Sequence, residues 1–337
     1  MPGAHAQTML ITGGAVYYLF PGITNNIGSG FYPDADTTVI KYPGTPIFVE
    51  QSIGRGVDNL DAAIKSAEGP IVVAGLSEGS MVIDHEQALL LNDPDAPPAD
   101  QVTFIIFGNP ERGVLALLPN GTYVPLVGYT TSTPVESQYD TIIVIGEYDG
   151  FADPPDRPWN LFSTLNAVIG AGVVHSLYAD VDPASIPPEN VTTEVNSKDA
   201  TVTRYLAPTD DLPLTLPLRF IAPPAVVDRI DDVVRPIVDA GYSRNDDAGD
   251  RRPYLSHGEI VFPSAASTPM VTQTRTRVTK SPEPTPSRST SRLNDTHQQS
   301  RSDTHAERRA ERRERREQRQ AERAERRAGS TRAVGSR

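Results

Sequence analysis

PIVVAGLSEGSMVIDHEQALLL, residues 70–91, decides how the rest of the chain is read. Residues 71–74 are apolar without interruption, as in a strand buried on both faces. Residues 81–91 are helix formers, with Met81, Val82, Leu89 and Leu90 as the apolar contribution. Between them, GLSEG (75–79) matches G-x-S-x-G, a permissive pattern in a chain with 25 glycines. Its position makes it specific. A buried strand, a turn too tight for large neighbours and an immediate helix together lift a serine hydroxyl out at the end of a sheet. Ser77 is the expected nucleophile, against the plainer reading of a capping serine in an ordinary strand–helix turn. The helix N-terminus would offer its dipole and the Glu78 backbone N–H to a developing oxyanion.

A serine hydroxyl needs a base to take its proton, and that base is usually a histidine oriented by a carboxylate. The chain has six histidines. His5 is in the leader, while His297 and His305 fall in a polar tail. His85 is eight residues along the elbow helix, about 12 Å up its axis at 1.5 Å per residue. His175 and His257 remain as candidates. For the acid, TIIVIGEYDGFADPP (141–155) places Asp149 just past the end of an apolar strand, with Asp153 in reserve four residues on. Asp before Gly or Pro also closes ordinary turns, which is the structural alternative for both.

The flanking segments fit an α/β fold with a mostly parallel sheet and helices on both faces. AVYYLF (15–20), TTVIKYPG (37–44), QVTFIIFG (101–108) and YDTIIVIG (139–146) read as strands. SIGRGVDNLDAAIKSAEG (52–69), with Ser52 as N-cap, and RPWNLFSTLNAVIGAG (157–172) read as helices. LALLPNGTYVPLV (115–127) reads as a hairpin turning at Asn120-Gly121. Residues 206–245 are a possible cap or closing helix, with Val226, Ile230, Val233 and Ile237 on one face.

YPG (42–44), GLSEGS, the PNG hairpin, GEYDGFADPPDRPWNLFSTLNAV, VVHSLY and LPLTLPLR with VVRPIVDAGYSR together resemble the PE-PPE-domain serine hydrolases of mycobacteria, from about residue 15 to about 245. The resemblance implies an α/β-hydrolase fold of the cutinase and lipase type; many members carry a PE or PPE segment ahead of it, which is not expected in this chain. It places the triad on Ser77, Asp149 and His175, and leaves His257 outside the matched stretch. It also implies fatty acyl esters as substrates, with acyl transfer to a sugar such as trehalose as the variant. Members often carry Gln after the serine, where this chain has Glu78, expected to point to solvent. The second oxyanion donor is expected after the first strand, among Gly22, Ile23, Thr24 and Asn25.

Composition divides the chain. Residues 1–264 carry 13 basic and 34 acidic side chains, a net of −21, and residues 265–337 carry 18 and 9, a net of +9. The hydrolase domain is therefore expected at 1–264, a disordered Ser/Thr/Pro-rich linker at 265–305, an Arg/Glu-rich helix at 306–328 and a disordered end at 329–337. That tail suits an anionic surface or an acidic partner. Nucleic acid is not expected as the main partner, because glutamates interleave the arginines and no aromatics are present to stack bases. A non-catalytic scaffold recruited through the tail is the competing class. With no cysteine, disulfides and thiolate metal sites are excluded, and neither cofactor nor metal is expected. The N-terminus lacks a secretory pattern and no run of about 18 apolar residues occurs, so no transmembrane segment is expected. The default expectation is a cytoplasmic protein, with non-classical export or phage-mediated release as the other routes.

Overall fold

The computed structural model describes residues 7–247 and 250–263. The linker, the charged helix and the end expected beyond 264 lie outside the described residues, as do His5, His297 and His305. The strands are β1 (Thr8–Thr12), β2 (Asp36–Val39), β3 (Ile71–Leu76), β4 (Val102–Phe107), β5 (Tyr123–Val124), β6 (Tyr129–Thr130), β7 (Asp140–Gly146), β8 (Val191–Val195), β9 (Thr201–Ala207), β10 (Tyr254–Ser256) and β11 (Glu259–Val261). The α-helices are α1 (Pro21–Thr24), α2 (Val49–Ser66), α3 (Glu78–Leu90), α4 (Leu161–Val173) and α5 (Pro224–Asp239).

Seven strands form one sheet in the order β2-β1-β3-β4-β7-β9-β8, parallel except for β8 against β9. Both faces are covered, which explains why β3 and β4 are apolar at successive positions. On one face Val73, Phe104 and Ile106 pack with Leu60 and Ile64 of α2 and Val82 and Ile83 of α3. On the other, Val72, Ala74, Ile105 and Phe107 meet Ile27, Val174 and Tyr178. Each such buried aliphatic side chain stabilises by about 1.5–3 kcal/mol relative to exposure. This is an α/β-hydrolase architecture, with the serine at the end of a central strand.

Four local expectations are corrected. The first strand is Thr8–Thr12, whereas 15–20 is irregular: Val16 has a φ of 54°, Tyr17–Leu19 is a 3-10 turn, and Tyr17 stacks on Tyr42 with ring centroids 5.4 Å apart. Aromatic β-propensity lost there to that stacking contact. Helix α2 begins at Val49, and Ser52 is buried inside it. Its leading N–H groups need no side-chain cap, because Val49 and Glu50 donate to the carbonyls of Val127 and Gly128 at 3.0 and 3.2 Å. Asn120-Gly121 does turn the chain, with Thr122 N–H on Pro119 O, but the reversal joining β5 to β6 closes with Gly128 N–H on Val124 O. On α5 the face turned inward carries Val227, Asp231, Val234 and Val238, while Val226, Val233 and Ile237 are exposed. Leu212, Val238, Tyr148 and Tyr242 make the small core that ties α5 down.

Candidate active site

β3 delivers Ser77 into a backbone conformation of φ 56° and ψ −121°. A non-glycine residue there carries strain on the order of 1–3 kcal/mol. The glycines on either side are required by contact. A Cβ on Gly79 would lie 2.1 Å from Thr12 O and 2.6 Å from Gly13 O, and one on Gly75 would lie 2.6 Å from both Gly79 O and Thr12 Oγ1. Thr12 Oγ1 donates to Gly79 O at 2.9 Å, and Ser77 N–H donates to Phe107 O at 3.0 Å. The turn is thus held between the ends of β1 and β4. Ser77 is half-buried among buried neighbours.

Asp149, fully buried, follows β7. Its Oδ2 lies 2.7 Å from His175 Nδ1, in the turn after α4. Its Oδ1 accepts from Phe151 N–H at 2.9 Å, and the hydroxyl of Tyr178 also donates to Oδ2. With its Nδ1–H committed to a carboxylate, neutral His175 presents Nε2 as an acceptor. Nε2 is buried and carries no hydrogen bond in this structure. The imidazole lies against the end of β4: a Cβ on Gly108 would be 3.1 Å from His175 Cε1. Phe151 packs on the ring at 4.7 Å between centroids. Ser77 and His175 therefore both abut the Phe107-Gly108 step, with no hydrogen bond between them. In catalytic sites without substrate such hydrogen bonds are often long or absent and form only in the reacting complex.

The other sequence candidates stand elsewhere. Asp153 accepts from Tyr148 N–H at 2.7 Å and pairs with the Arg244 guanidinium, so its carboxylate braces a loop. His257 is exposed in the β10–β11 turn, where its N–H meets Ala116 O at 3.0 Å. Asp153 and His257 border a cavity of about 390 Å³ together with Arg112 and Arg244, and neither Ser77 nor His175 lines it. His85 points away, with Nε2 3.2 Å from Glu111 Oε1 and 3.0 Å from Tyr129 Oη.

Of the oxyanion donors expected at Gly22, Ile23, Thr24 and Asn25, three amides are engaged elsewhere. Gly22, Ile23 and Thr24 lie in α1 and Asn25 caps it; the amides of Ile23 and Thr24 donate to Phe20 O and that of Asn25 to Pro21 O. Since the first strand is β1, the loop that follows it is Gly13-Gly14-Ala15. The register pairs Thr12 with Gly75, and a Cβ on Gly14 would lie 3.2 Å from Ser77 Cβ and 3.8 Å from Ser77 Oγ. Among the described residues the Gly14 amide meets no backbone carbonyl. A Gly-Gly pair after a short apolar run was the available signal. Glu78 begins α3, so its amide lies in the first turn, where helix N–H groups have no intrahelical acceptor.

A family model for the PE-PPE domain matches residues 31–243, more than half of the chain. The chain belongs to the PE-PPE domain family. Among curated relatives from Mycobacterium tuberculosis, it is 44% identical to SL1278 acyltransferase Chp1 over 261 residues, covering 71% of this chain and 65% of that one. It is 40% identical to diacyltrehalose acyltransferase Chp2 over 274 residues, covering 72% and 76%. It is 35% identical to esterase PE16 over 238 residues, covering 67% and 44%. The chain thus spans just under two thirds of Chp1 and less than half of the esterase.

In this PE-PPE domain the Glu78 side chain does not point to solvent: it is 4% exposed. Its carboxyl faces Ser52 and the Thr45 backbone without a hydrogen bond of normal geometry, and Tyr42 is nearby. Burial pushes its pKa up to about 7, with the Ser52 and Thr45 contacts acting in the opposite direction. The folded state therefore prefers the protonated acid. This proton-linked stability is fully present below the ordinary carboxyl value of about 4.5 and is lost as pH rises through about 7. Glu78→Gln is expected to abolish that loss, leaving the variant more stable than the parent at pH 8 by about 2–3 kcal/mol and nearly equal to it at pH 5. Urea unfolding at the two pH values measures it, and equal differences at both would overturn the assignment.

Proposed function

We propose that this chain is a serine enzyme of acyl esters, working through an acyl-enzyme on Ser77, with His175 as base and Asp149 as its orienting acid. The observation that carries the reading is the Asp149–His175 pair, whose free Nε2 lies against the same strand end as the strained Ser77. As Ser77 Oγ attacks the ester carbonyl carbon, His175 Nε2 takes its proton, and Asp149 steadies the imidazolium. The carbonyl oxygen becomes an oxyanion facing the Glu78 amide and the Gly14 loop. When the C–O bond to the alcohol breaks, His175 returns the proton to the leaving oxygen. Water, or the hydroxyl of an acceptor, then attacks acyl-Ser77 with His175 again as base, and Ser77 is regenerated.

The surface beside the site favours long acyl chains. Helix α4 has no charged residue, and it exposes Leu161, Leu165 and Val168 on one face. Leu177, two residues past His175, is exposed as well. Transfer to a sugar hydroxyl is the second reading, supported by the two acyltransferases among the relatives, one of them named for diacyltrehalose. Esterase PE16 supports hydrolysis.

The test combines a fluorophosphonate probe with nitrophenyl esters of increasing chain length, run with and without trehalose. Labelling that requires Ser77, with faster turnover of longer esters, is the expected result. Acylated sugar among the products assigns transfer, and free acid alone assigns hydrolysis. An unlabelled Ser77 would sink the enzymatic reading and leave the scaffold alternative.

A further inference from the structure

Asp149 has three donors around a carboxylate with no exposure to solvent, and only two of them are explained by the triad and its loop. The third is the hydroxyl of Tyr178, which donates to Oδ2, the same oxygen that holds His175 Nδ1–H. Tyr178 is 5% exposed and is built into the strand ends. A Cβ on Gly146 would fall 2.3 Å from its Cε1, and one on Gly108 would fall 2.7 Å from its hydroxyl, so both glycines leave room for this ring. Tyr178 and His175 share one turn, three residues apart, and reach one acceptor atom from it.

We propose that Tyr178 is a positioning residue for the reaction: its hydroxyl fixes the Asp149 carboxylate and shares the Oδ2 charge, limiting how tightly Asp149 holds a proton on His175. The proposal rests on the assignment of Ser77, Asp149 and His175 made above. A fully buried carboxylate stays ionised only if donors compensate for its lost hydration, and Tyr178 supplies one of the three. Two donors on one oxygen also divide its charge, so the hydroxyl weakens the attraction between Asp149 and the imidazolium. A base held too strongly in its protonated form is unavailable to Ser77 at mildly acid pH.

Besides Asp149, the charged group felt by the Tyr178 hydroxyl is Asp153 from the loop after β7, itself closed by Arg244. The end of β4 presents Gly108, with no side chain. Burial first, then the Asp149 charge and hydrogen bond, push the Tyr178 phenol well above its ordinary value, with the Gly146 backbone acting the other way. Tyr178 therefore remains a donor across the working range.

The test replaces Tyr178 in the full chain by phenylalanine and, separately, by 3-fluorotyrosine, a stronger donor of the same shape. Loss of the hydroxyl is expected to move the acid limb of kcat/KM upward by about 0.5–1 pH unit, lowering activity near pH 6 by about three- to tenfold. The fluorinated side chain is expected to move the limb downward. In proton NMR spectra the low-field His175 Nδ1 resonance should shift farther downfield in Tyr178→Phe and upfield with fluorotyrosine. The proposal is overturned if the acid limb and that resonance stay in place in both proteins, even where activity falls, since the ring would then serve packing alone. The fluorotyrosine protein keeps the test alive if Tyr178→Phe fails to fold. A wild-type Ser77 that resists fluorophosphonate defeats the enzymatic reading instead, and the NMR shifts still decide whether Tyr178 governs the Asp149–His175 bond.

Discussion

Ser77→Ala is expected to lower ester turnover by about 10⁶-fold and to abolish fluorophosphonate labelling, while leaving the unfolding midpoint within about 1 °C. The size of the loss follows from the role: without Oγ there is no acyl-enzyme, and what remains is rate enhancement by the amides of the turn and by substrate binding. The stability follows from the backbone. Alanine inherits the φ of 56° and ψ of −121° and therefore the same strain, and Ser77 Oγ makes no hydrogen bond whose loss would cost anything. Ser77→Gly separates the two effects, because glycine occupies positive φ without a Cβ penalty. It should be as inactive as Ser77→Ala and more stable than the parent by about 1 kcal/mol. A Ser77→Ala protein retaining a tenth of the turnover would remove Ser77 from the mechanism, and a Ser77→Gly protein no more stable than the parent would remove the strain.

That strain sits in a turn that is legible in the sequence itself. Its signals are local: six successive buried positions in β3, two glycines whose Cβ atoms would collide with Thr12, Gly13 and Gly79, and a helix beginning at the next residue. Asp149, which holds His175 Nδ1, likewise stands out locally as the first aspartate past the apolar run of β7. What stayed hidden was set by partners distant in sequence. The run Met9-Leu10-Ile11 is too short to separate a strand from a leader, and it becomes β1 because β2 and β3 offer hydrogen-bonding edges on both sides. With the first strand expected at 15–20 instead, the loop after it is expected at Gly22 to Asn25, some ten residues late. Glu78 was expected in solvent because its own helix could not reveal that α2, through Ser52, covers it. Tyr178 carries no motif, and its role is visible only where the ends of β4 and β7 bring Gly108, Gly146 and Asp149 around it.

Asp149→Asn should reduce kcat by about 10⁴-fold at neutral pH with little change in KM. The amide preserves the shape of the carboxylate but not its charge or its acceptor capacity. Three groups now point at Asp149, namely the Phe151 amide, His175 Nδ1 and the Tyr178 hydroxyl, and an amide offers one oxygen where the carboxylate offers two. If the amide nitrogen faces His175, it donates to Nδ1 and drives the imidazole proton onto Nε2, the atom that has to receive the Ser77 proton. The base is then in the wrong tautomer with its geometry intact, so the loss falls on kcat. Asp153→Asn provides the contrast. Asp153 meets Arg244 and the Tyr148 amide rather than His175, so its replacement should cost about 2 kcal/mol of stability through the weakened ion pair and leave the pH profile of the surviving activity where it was. Parallel kinetics and urea unfolding of the two variants discriminate the roles. Should Asp153→Asn lose the 10⁴-fold instead, the orienting acid would have to be reassigned across four residues of one loop, and the hydrogen bond from His175 to Asp149 would be structural only.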